Sequence, residues 1–117
     1  MEHFSRRTVS GVECVTPTRK RLDAAYSVWF REEMKAMISG GVTRIVLDLS
    51  QVEFIDSSGL GALVSLMKSL GGAQNLVLCG VREAPMSVFR MTRMDKVFTL
   101  KANELEALEG LGVIKDT

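Results

Sequence analysis

The chain has 117 residues, of which 46% are hydrophobic and 25% are charged, with a formal net charge of +1. This length and composition are typical of one soluble globular domain with a modest core. The balanced charge gives no indication of binding to nucleic acid, and no apolar stretch approaches the ~20 residues needed to span a membrane.

The first segment of the chain predicts two short strands. Residues alternate in polarity around Gly11, which indicates strands over residues 8–10 and 12–16. Pro17 ends the second strand, and the basic run 19–21 that follows it is expected to be a solvated loop. The opening residues lead into no apolar signal segment, so we expect a cytoplasmic protein without a membrane partner.

A helix is predicted next, from Asp23 as its N-cap to about residue 38. Its apolar residues recur at three- and four-residue spacing and should face the core. These residues are Phe30, Met34, Met37 and Ile38. The pair Gly40 and Gly41 should end this helix.

The remainder of the chain alternates between strand and helix patterns. Strands are predicted over residues 43–49, 75–79 and 97–100, and helices over residues 58–70, 85–91 and 103–111. The first of these strands is almost continuously apolar, which is typical of a strand buried on both faces of a parallel sheet. We therefore predict one α/β domain over residues 1–117, with its core over about 8–111. It should contain a mixed, mostly parallel sheet of four to five strands, an antiparallel edge strand and about four helices.

The junction between the strand at 43–49 and the next helix carries the most chemistry. Two hydroxyls, Ser57 and Ser58, lie there beside Asp56, at the strand end where sites form in parallel sheets. Gly59 and Gly61 each cost a helix ~0.5–1 kcal/mol relative to alanine. Their presence is explained if they open the backbone near the hydroxyls to another protein.

Two roles for these hydroxyls are open from the residues alone. A serine here can cap the helix, which the residues alone favour, or it can accept a phosphate. A phosphate on Ser57 would add about −1.5 to −2 charges at neutral pH. The helix dipole would stabilise a negative charge at this position by ~0.3–1 kcal/mol. The fold should survive this change, whereas a partner lying against the junction would be repelled.

Catalytic chemistry has little support in the sequence. His3 is the only histidine, which argues against a catalytic triad and a histidine-based metal site. Cys14 and Cys79 lack a CxxC pattern and are expected to be free, buried thiols. Ser65 and Lys68 match an SxxK pattern without its companion motifs, and no glycine-rich phosphate loop is present. We therefore expect no enzyme activity, no metal and no cofactor.

In its setting, the junction resembles the STAS domain family, and specifically the bacterial anti-sigma-factor antagonists. The strand 46–49 and the segment 52–61, which contains Asp-Ser-Ser-Gly-Leu-Gly, are similar to the family's strand and signature loop. Residues 22–24 resemble the opening of its first helix, and residues 75–78 and 97–98 resemble its later strands. The resemblance extends over residues 8–108.

This resemblance implies a partner-switching role. Such antagonists bind an anti-sigma factor that is also a serine kinase, and this binding releases the sigma factor. The kinase phosphorylates the serine directly after the aspartate, which abolishes binding, and a serine phosphatase reverses the modification. The phosphoacceptor is then Ser57, and the resemblance makes this role the favoured one over capping. The implied partner-binding residues are Asp23, Asp56, Ser57, Ser58, Gly59, Leu60 and Gly61.

Two other functions fit the same fold. One is a STAS partner switch that controls a target other than a sigma factor. The other is a STAS subunit of a transporter assembly that makes structural contacts without phosphorylation. The intact Asp-Ser-Ser-Gly segment argues against the transporter subunit, because a purely structural subunit needs no exposed acceptor.

Overall fold

The structure is a computed structural model and describes residues 3–113. Seven strands and four helices are present in this part of the chain. In chain order they are β1 (Phe4–Val9), β2 (Val12–Pro17), β3 (Arg21–Leu22), α1 (Ala24–Ser39), β4 (Ile45–Asp48), β5 (Phe54–Ile55), α2 (Ser57–Ser69), β6 (Leu76–Cys79), α3 (Glu83–Met91), β7 (Thr99–Lys101) and α4 (Glu104–Gly110).

The main sheet has five strands in the order β1-β2-β4-β6-β7. The strands β2, β4, β6 and β7 are parallel to one another, and β1 is an antiparallel edge strand paired with β2. Ser10 and Gly11 connect β1 to β2 with φ values of 49° and 82°, so this tight turn uses the left-handed region that glycine favours. The predicted mixed, mostly parallel sheet with four helices is confirmed.

The core lies on both faces of the main sheet. In β4, Ile45 and Leu47 belong to the larger cluster, which includes Phe30, Leu63 and Phe89 from the helices α1, α2 and α3. The intervening Val46 belongs to a second cluster, which includes Ala107 and Leu108 of α4. The nearly continuous apolar pattern of β4 thus reflects burial on both of its faces, as predicted.

Both cysteines are free and buried, as predicted. They pack in the cluster between the sheet and α4. Burial, assisted by the nearby negative charge of Asp48, raises the pKa of the Cys79 thiol to about 12. Burial also raises the pKa of Cys14. Both thiols therefore stay protonated at neutral pH, which leaves them poor nucleophiles.

A second, two-stranded parallel sheet was not predicted from the sequence. In it Arg21 lies opposite Phe54, and Leu22 lies opposite Ile55. Its strands immediately precede α1 and α2, so the two helices begin side by side. Each strand has only two residues, which is too short for an alternating polarity pattern to indicate it.

Gly59 is buried against this small sheet. A Cβ atom at Gly59 would lie 2.1 Å from the Leu22 carbonyl oxygen and 2.9 Å from its Cγ. The expectation that Gly59 opens the backbone to a partner is therefore wrong, because its missing side chain allows the first turn of α2 to pack on β3. Gly61 is half-buried, and its Cβ would lie 3.3 Å from the Nη2 atom of Arg31.

The last predicted strand is displaced along the chain. The sequence places it at 97–100, whereas β7 spans Thr99–Lys101 and follows a 3-10 turn at Met94–Lys96. Arg93 precedes that turn with a φ of 64°, a conformation that no glycine or asparagine pattern indicated. The first strand is longer than predicted and begins at Phe4.

The two helical glycines give a matched test of the packing of α2. Gly59→Ala should lower the free energy of unfolding by about 2–3 kcal/mol, because the new Cβ overlaps a backbone oxygen that cannot rotate away. Gly61→Ala should be neutral or stabilising by up to ~1 kcal/mol, because alanine favours the helix and the end of Arg31 can move. Urea denaturation of both variants measures the difference. Equal effects of the two substitutions would contradict the assigned role of Gly59.

Candidate functional site

The first turns of α1 and α2 lie side by side and are capped in the same way. The Asp23 carboxylate accepts a hydrogen bond from the Tyr26 N–H at 3.1 Å, and the Asp56 carboxylate accepts one from the Gly59 N–H at 2.9 Å. The Asp56 N–H also donates to the Leu22 carbonyl at 3.3 Å, which joins the two turns. The predicted cap Asp23 is confirmed, whereas a capping role for Ser57 or Ser58 is wrong because Asp56 is the cap.

Ser57 is the first helical residue of α2 and is exposed. Within residues 3–113 its hydroxyl takes part in no hydrogen bond. Ser27, in the first turn of α1, is different: it is buried, and its hydroxyl donates to the Asp23 carbonyl at 2.6 Å. The Ser57 hydroxyl is therefore accessible and is not required by the local fold.

The backbone around Ser57 favours an anion. The first N–H groups of a helix have no intrahelical acceptor. The Asp56 side chain satisfies that of Gly59, and the Asp56 carbonyl accepts from Leu60 at 2.9 Å. The N–H groups of Ser57 and Ser58 remain at the helix end, where the helix dipole stabilises negative charge.

Arg21 and Phe54 form the border of this site on the small sheet. The Arg21 guanidinium lies 4.0 Å from the centroid of the Phe54 ring, and its Nε is 3.5 Å from Oδ2 of Asp23. Phe54 is 38% exposed. The rim thus combines an exposed aromatic ring with a cation, a combination that is common where proteins bind each other.

A further exposed ion pair lies beside this rim. Nη1 of Arg82, which precedes α3, is 3.4 Å from Oε2 of Glu53. Both partners are about half exposed, with side-chain exposures of 52% and 49%, so the pair contributes little stability. The pair places one charge of each sign at the surface, with Glu53 directly before β5.

Six of the seven predicted site residues reach the surface at this junction. Ser57 is exposed, five others are half-buried, and Gly59 is buried beneath them. We define the junction surface as Asp23, Asp56, Ser57, Ser58 and Leu60. The sequence pattern did not indicate Arg21 or Phe54 as site residues, because only the pairing of the two short strands brings them to this border. The one signal in the sequence was the aromatic residue Phe54 just before the signature segment.

The chemistry of the site rests on its serine hydroxyl. Within residues 3–113, no three side chains from histidine, cysteine, aspartate or glutamate are grouped so as to hold a metal ion. In the same part of the chain, no helix is both long enough and apolar enough to cross a membrane. What the junction surface offers chemically is one accessible hydroxyl in a field that accepts negative charge.

The sequence and fold are similar to those of proteins named as anti-sigma factor antagonists. The profile of the STAS domain family matches residues 3–107. BtrV, a candidate anti-sigma factor antagonist of Bordetella bronchiseptica, is 31% identical over 87 residues, which cover 74% of this chain and 74% of BtrV. The crystal structure of a candidate anti-sigma factor antagonist of Thermotoga maritima matches with a TM-score of 0.86 and 28% identity, covering 93% of this chain and 94% of that one.

The fold is also shared with SpoIIAA, an anti-sigma factor antagonist of Bacillus. Its unphosphorylated form matches with a TM-score of 0.69 and 22% identity, covering 95% of this chain and 99% of SpoIIAA. Its phosphorylated form matches with a TM-score of 0.67 and 23% identity, covering 91% of this chain and 96% of SpoIIAA. At this level of identity the similarity concerns the fold.

The division of roles between Asp56 and Ser57 can be measured by stability. Asp56→Ala should cost about 1 kcal/mol, because it leaves the Gly59 N–H without its acceptor, whereas Asp56→Asn should retain most of the cap. Ser57→Ala should change the free energy of unfolding by less than ~0.5 kcal/mol, since its hydroxyl forms no hydrogen bond in the part of the chain that the structure describes. Chemical denaturation measures all three variants. A cost for Ser57→Ala equal to that of Asp56→Ala would show that the serine also caps the helix.

Proposed function

This chain belongs to the STAS domain family, and we propose that it is an anti-sigma-factor antagonist whose partner binding is switched off by phosphorylation of Ser57. One observation carries the proposal. At the first position of α2, Ser57 presents an exposed hydroxyl that forms no hydrogen bond with any of the described residues, while Asp56 caps the helix. The residue is thus available to a kinase at no cost to the helix.

The proposed partner is an anti-sigma factor that is also a serine kinase. Binding of this chain to the kinase releases the sigma factor, and transfer of phosphate to Ser57 ends the binding. A serine phosphatase restores the active form. The names of BtrV and SpoIIAA support an antagonist role. SpoIIAA has been solved in an unphosphorylated and a phosphorylated form, which supports the view that this fold accommodates a phosphate.

Electrostatics explains how one phosphate can act on binding and leave the fold intact. A phosphate at Ser57 adds about −1.5 to −2 charges at neutral pH. The end of α2 stabilises such a charge by ~0.3–1 kcal/mol, and the neighbouring Asp56 and Asp23 carboxylates oppose it. Because the two effects have opposite signs, they offset each other in part in the free protein. In a complex, the same charge would lose its water and lie directly against the partner.

The proposed contact area is the junction surface together with Gly61. Leu60 provides an apolar group beside the acceptor, and Asp23 provides a negative charge from the neighbouring helix. Gly59 acts indirectly, because its packing on Leu22 holds the acceptor turn in place. The protein acts by binding, in the cytoplasm, and no catalysis by this chain is invoked.

Substitutions at Ser57 should separate binding from stability. The purified anti-sigma factor kinase of the same organism is titrated with each variant by calorimetry. Ser57→Asp should weaken binding at least tenfold, because it places a carboxylate on the contact surface, while its unfolding midpoint stays close to that of the wild type. Ser57→Ala should bind as the wild type does and should resist inactivation by kinase and ATP. Ser58→Ala is the matched control and should still be inactivated.

Mass spectrometry tests the modification itself. After incubation with the kinase and ATP, one phosphate should appear on the wild-type protein and map to Ser57, and none should appear on Ser57→Ala. The protein isolated from its native cells should carry the same phosphopeptide. A phosphate mapped to Ser58, or equal binding by Ser57→Asp and the wild type, would count against the proposed switch.

A further inference from the structure

A pocket of about 520 Å³ opens beside the junction surface. It contains Asp23, the residue that also belongs to that surface, and Ala25 at the second position of α1. In the small sheet Leu22 lies opposite Ile55. The next residue of each strand is an aspartate, so the same register brings Asp23 beside Asp56. Its lining is aromatic on one side, from Tyr26 and Trp29, and basic on another, from Arg19 to Arg21.

One wall of the pocket is aromatic and held in place. The rings of Tyr26 and Trp29 stack with centroids 5.7 Å apart, and the His3 ring meets the Trp29 ring edge-on at 4.4 Å. The Tyr26 hydroxyl donates to the His3 carbonyl at 2.6 Å. Burial raises the pKa of Tyr26 to about 12, so this donor keeps its proton at neutral pH. The wall is therefore preformed and can receive a large side chain with little ordering cost.

The rim of the pocket is cationic. Three consecutive basic residues line it, from Arg19 to Arg21, against the single carboxylate of Asp23. The Lys20 carbonyl accepts hydrogen bonds from the N–H groups of Glu53 and Phe54 at 2.7 and 3.1 Å, so the backbone that presents these cations is fixed by the small sheet. A rigid pocket of this charge is complementary to an acidic ligand.

We propose that this pocket is a second contact of the same partner interface, and that it receives an acidic segment of the partner kinase anchored by one bulky side chain. This inference rests on the proposed function. A standard interface covers about 800 Å² on each partner. Because Asp23 belongs to both the junction surface and the pocket, a kinase that covers Ser57 with an area of this size can extend over the neighbouring end of α1 to the pocket.

The acidic segment gives the phosphate a second way to weaken binding. A phosphate on Ser57 lies beside the path of the acidic segment and repels it. The same phosphate also attracts the cations of the rim, Arg21 among them, which the partner would otherwise use. Binding of the acidic segment and phosphorylation of Ser57 are thus mutually opposed.

Charge placed inside the pocket tests the inference. Ala25 is exposed and lines the pocket, and Ala36 is exposed near the other end of α1. Ala25→Glu should raise the Kd for the kinase at least tenfold, because it repels an acidic segment, although glutamate in a first helical turn favours folding. Ala25→Lys should bind no more weakly than the wild type. Ala36→Glu is the matched control and should leave the Kd unchanged.

The only tryptophan of the chain gives a second readout. Trp29 is the sole tryptophan, so incorporation of 5-fluorotryptophan gives one fluorine resonance from the pocket wall, free of signals from the unlabelled kinase. This resonance should shift when the kinase binds, and the shift should be lost with Ser57→Asp.

The outcomes distinguish the two proposals. If the kinase binds and Ser57→Asp releases it, but neither Ala25→Glu nor the fluorine signal responds, the pocket inference is overturned and the proposed function stands. A fluorine shift with equal Kd values for Ala25→Glu and Ala25→Lys would overturn the acidic character of the segment. Wild-type binding that Ser57→Asp leaves unchanged would instead overturn the proposed function.

Discussion

The contact between the Leu22 carbonyl and the first turn of α2 determines the geometry of the site. This oxygen accepts a hydrogen bond from Asp56 and lies where a side chain on Gly59 would have to be. A helix can approach a strand end this closely only through a residue without a Cβ atom. Because Leu22 also leads directly into α1, the contact fixes the starts of both helices relative to each other.

The capping of both helix starts by aspartates leaves the Ser57 hydroxyl without a structural role. Each start needs acceptors for its first N–H groups, and here aspartates supply them, Asp23 for α1 and Asp56 for α2. The capped turn of α2 therefore has no need of the Ser57 hydroxyl, which is exposed and has no hydrogen-bond partner among residues 3–113. In α1 the nearest serine, Ser27, is buried and bonded to the backbone. The two helix starts thus differ in the availability of a hydroxyl, and this difference underlies the proposed switch.

The sequence predicts most of the sheet because its information is local and periodic. Burial of β4 on both faces leaves an apolar run that can be read directly, and Asp23 is recognisable as a cap from its place before an amphipathic segment. The small sheet is different, since each strand has two residues and is specified by its partner rather than by its own pattern. The burial of Gly59 and the choice of Asp56 over Ser57 as cap depend on this pairing, so local reasoning assigned both wrongly. The pocket is also hidden, because His3 reaches Tyr26 only after folding.

The difference between the energies of folding and binding explains why a phosphate at this position can regulate one and leave the other unchanged. In the free protein, Ser57 is in water at a helix end, where an added charge changes stability by no more than ~1 kcal/mol, out of the ~5–15 kcal/mol typical of a domain. In a complex the same charge would lose its water, and like charges brought together across an interface cost several kcal/mol. Each 1.4 kcal/mol changes an affinity tenfold. A modification that folding tolerates would therefore reduce binding by orders of magnitude. An exposed hydroxyl on a helix that is capped by another residue can therefore carry a charge that folding tolerates and that binding does not.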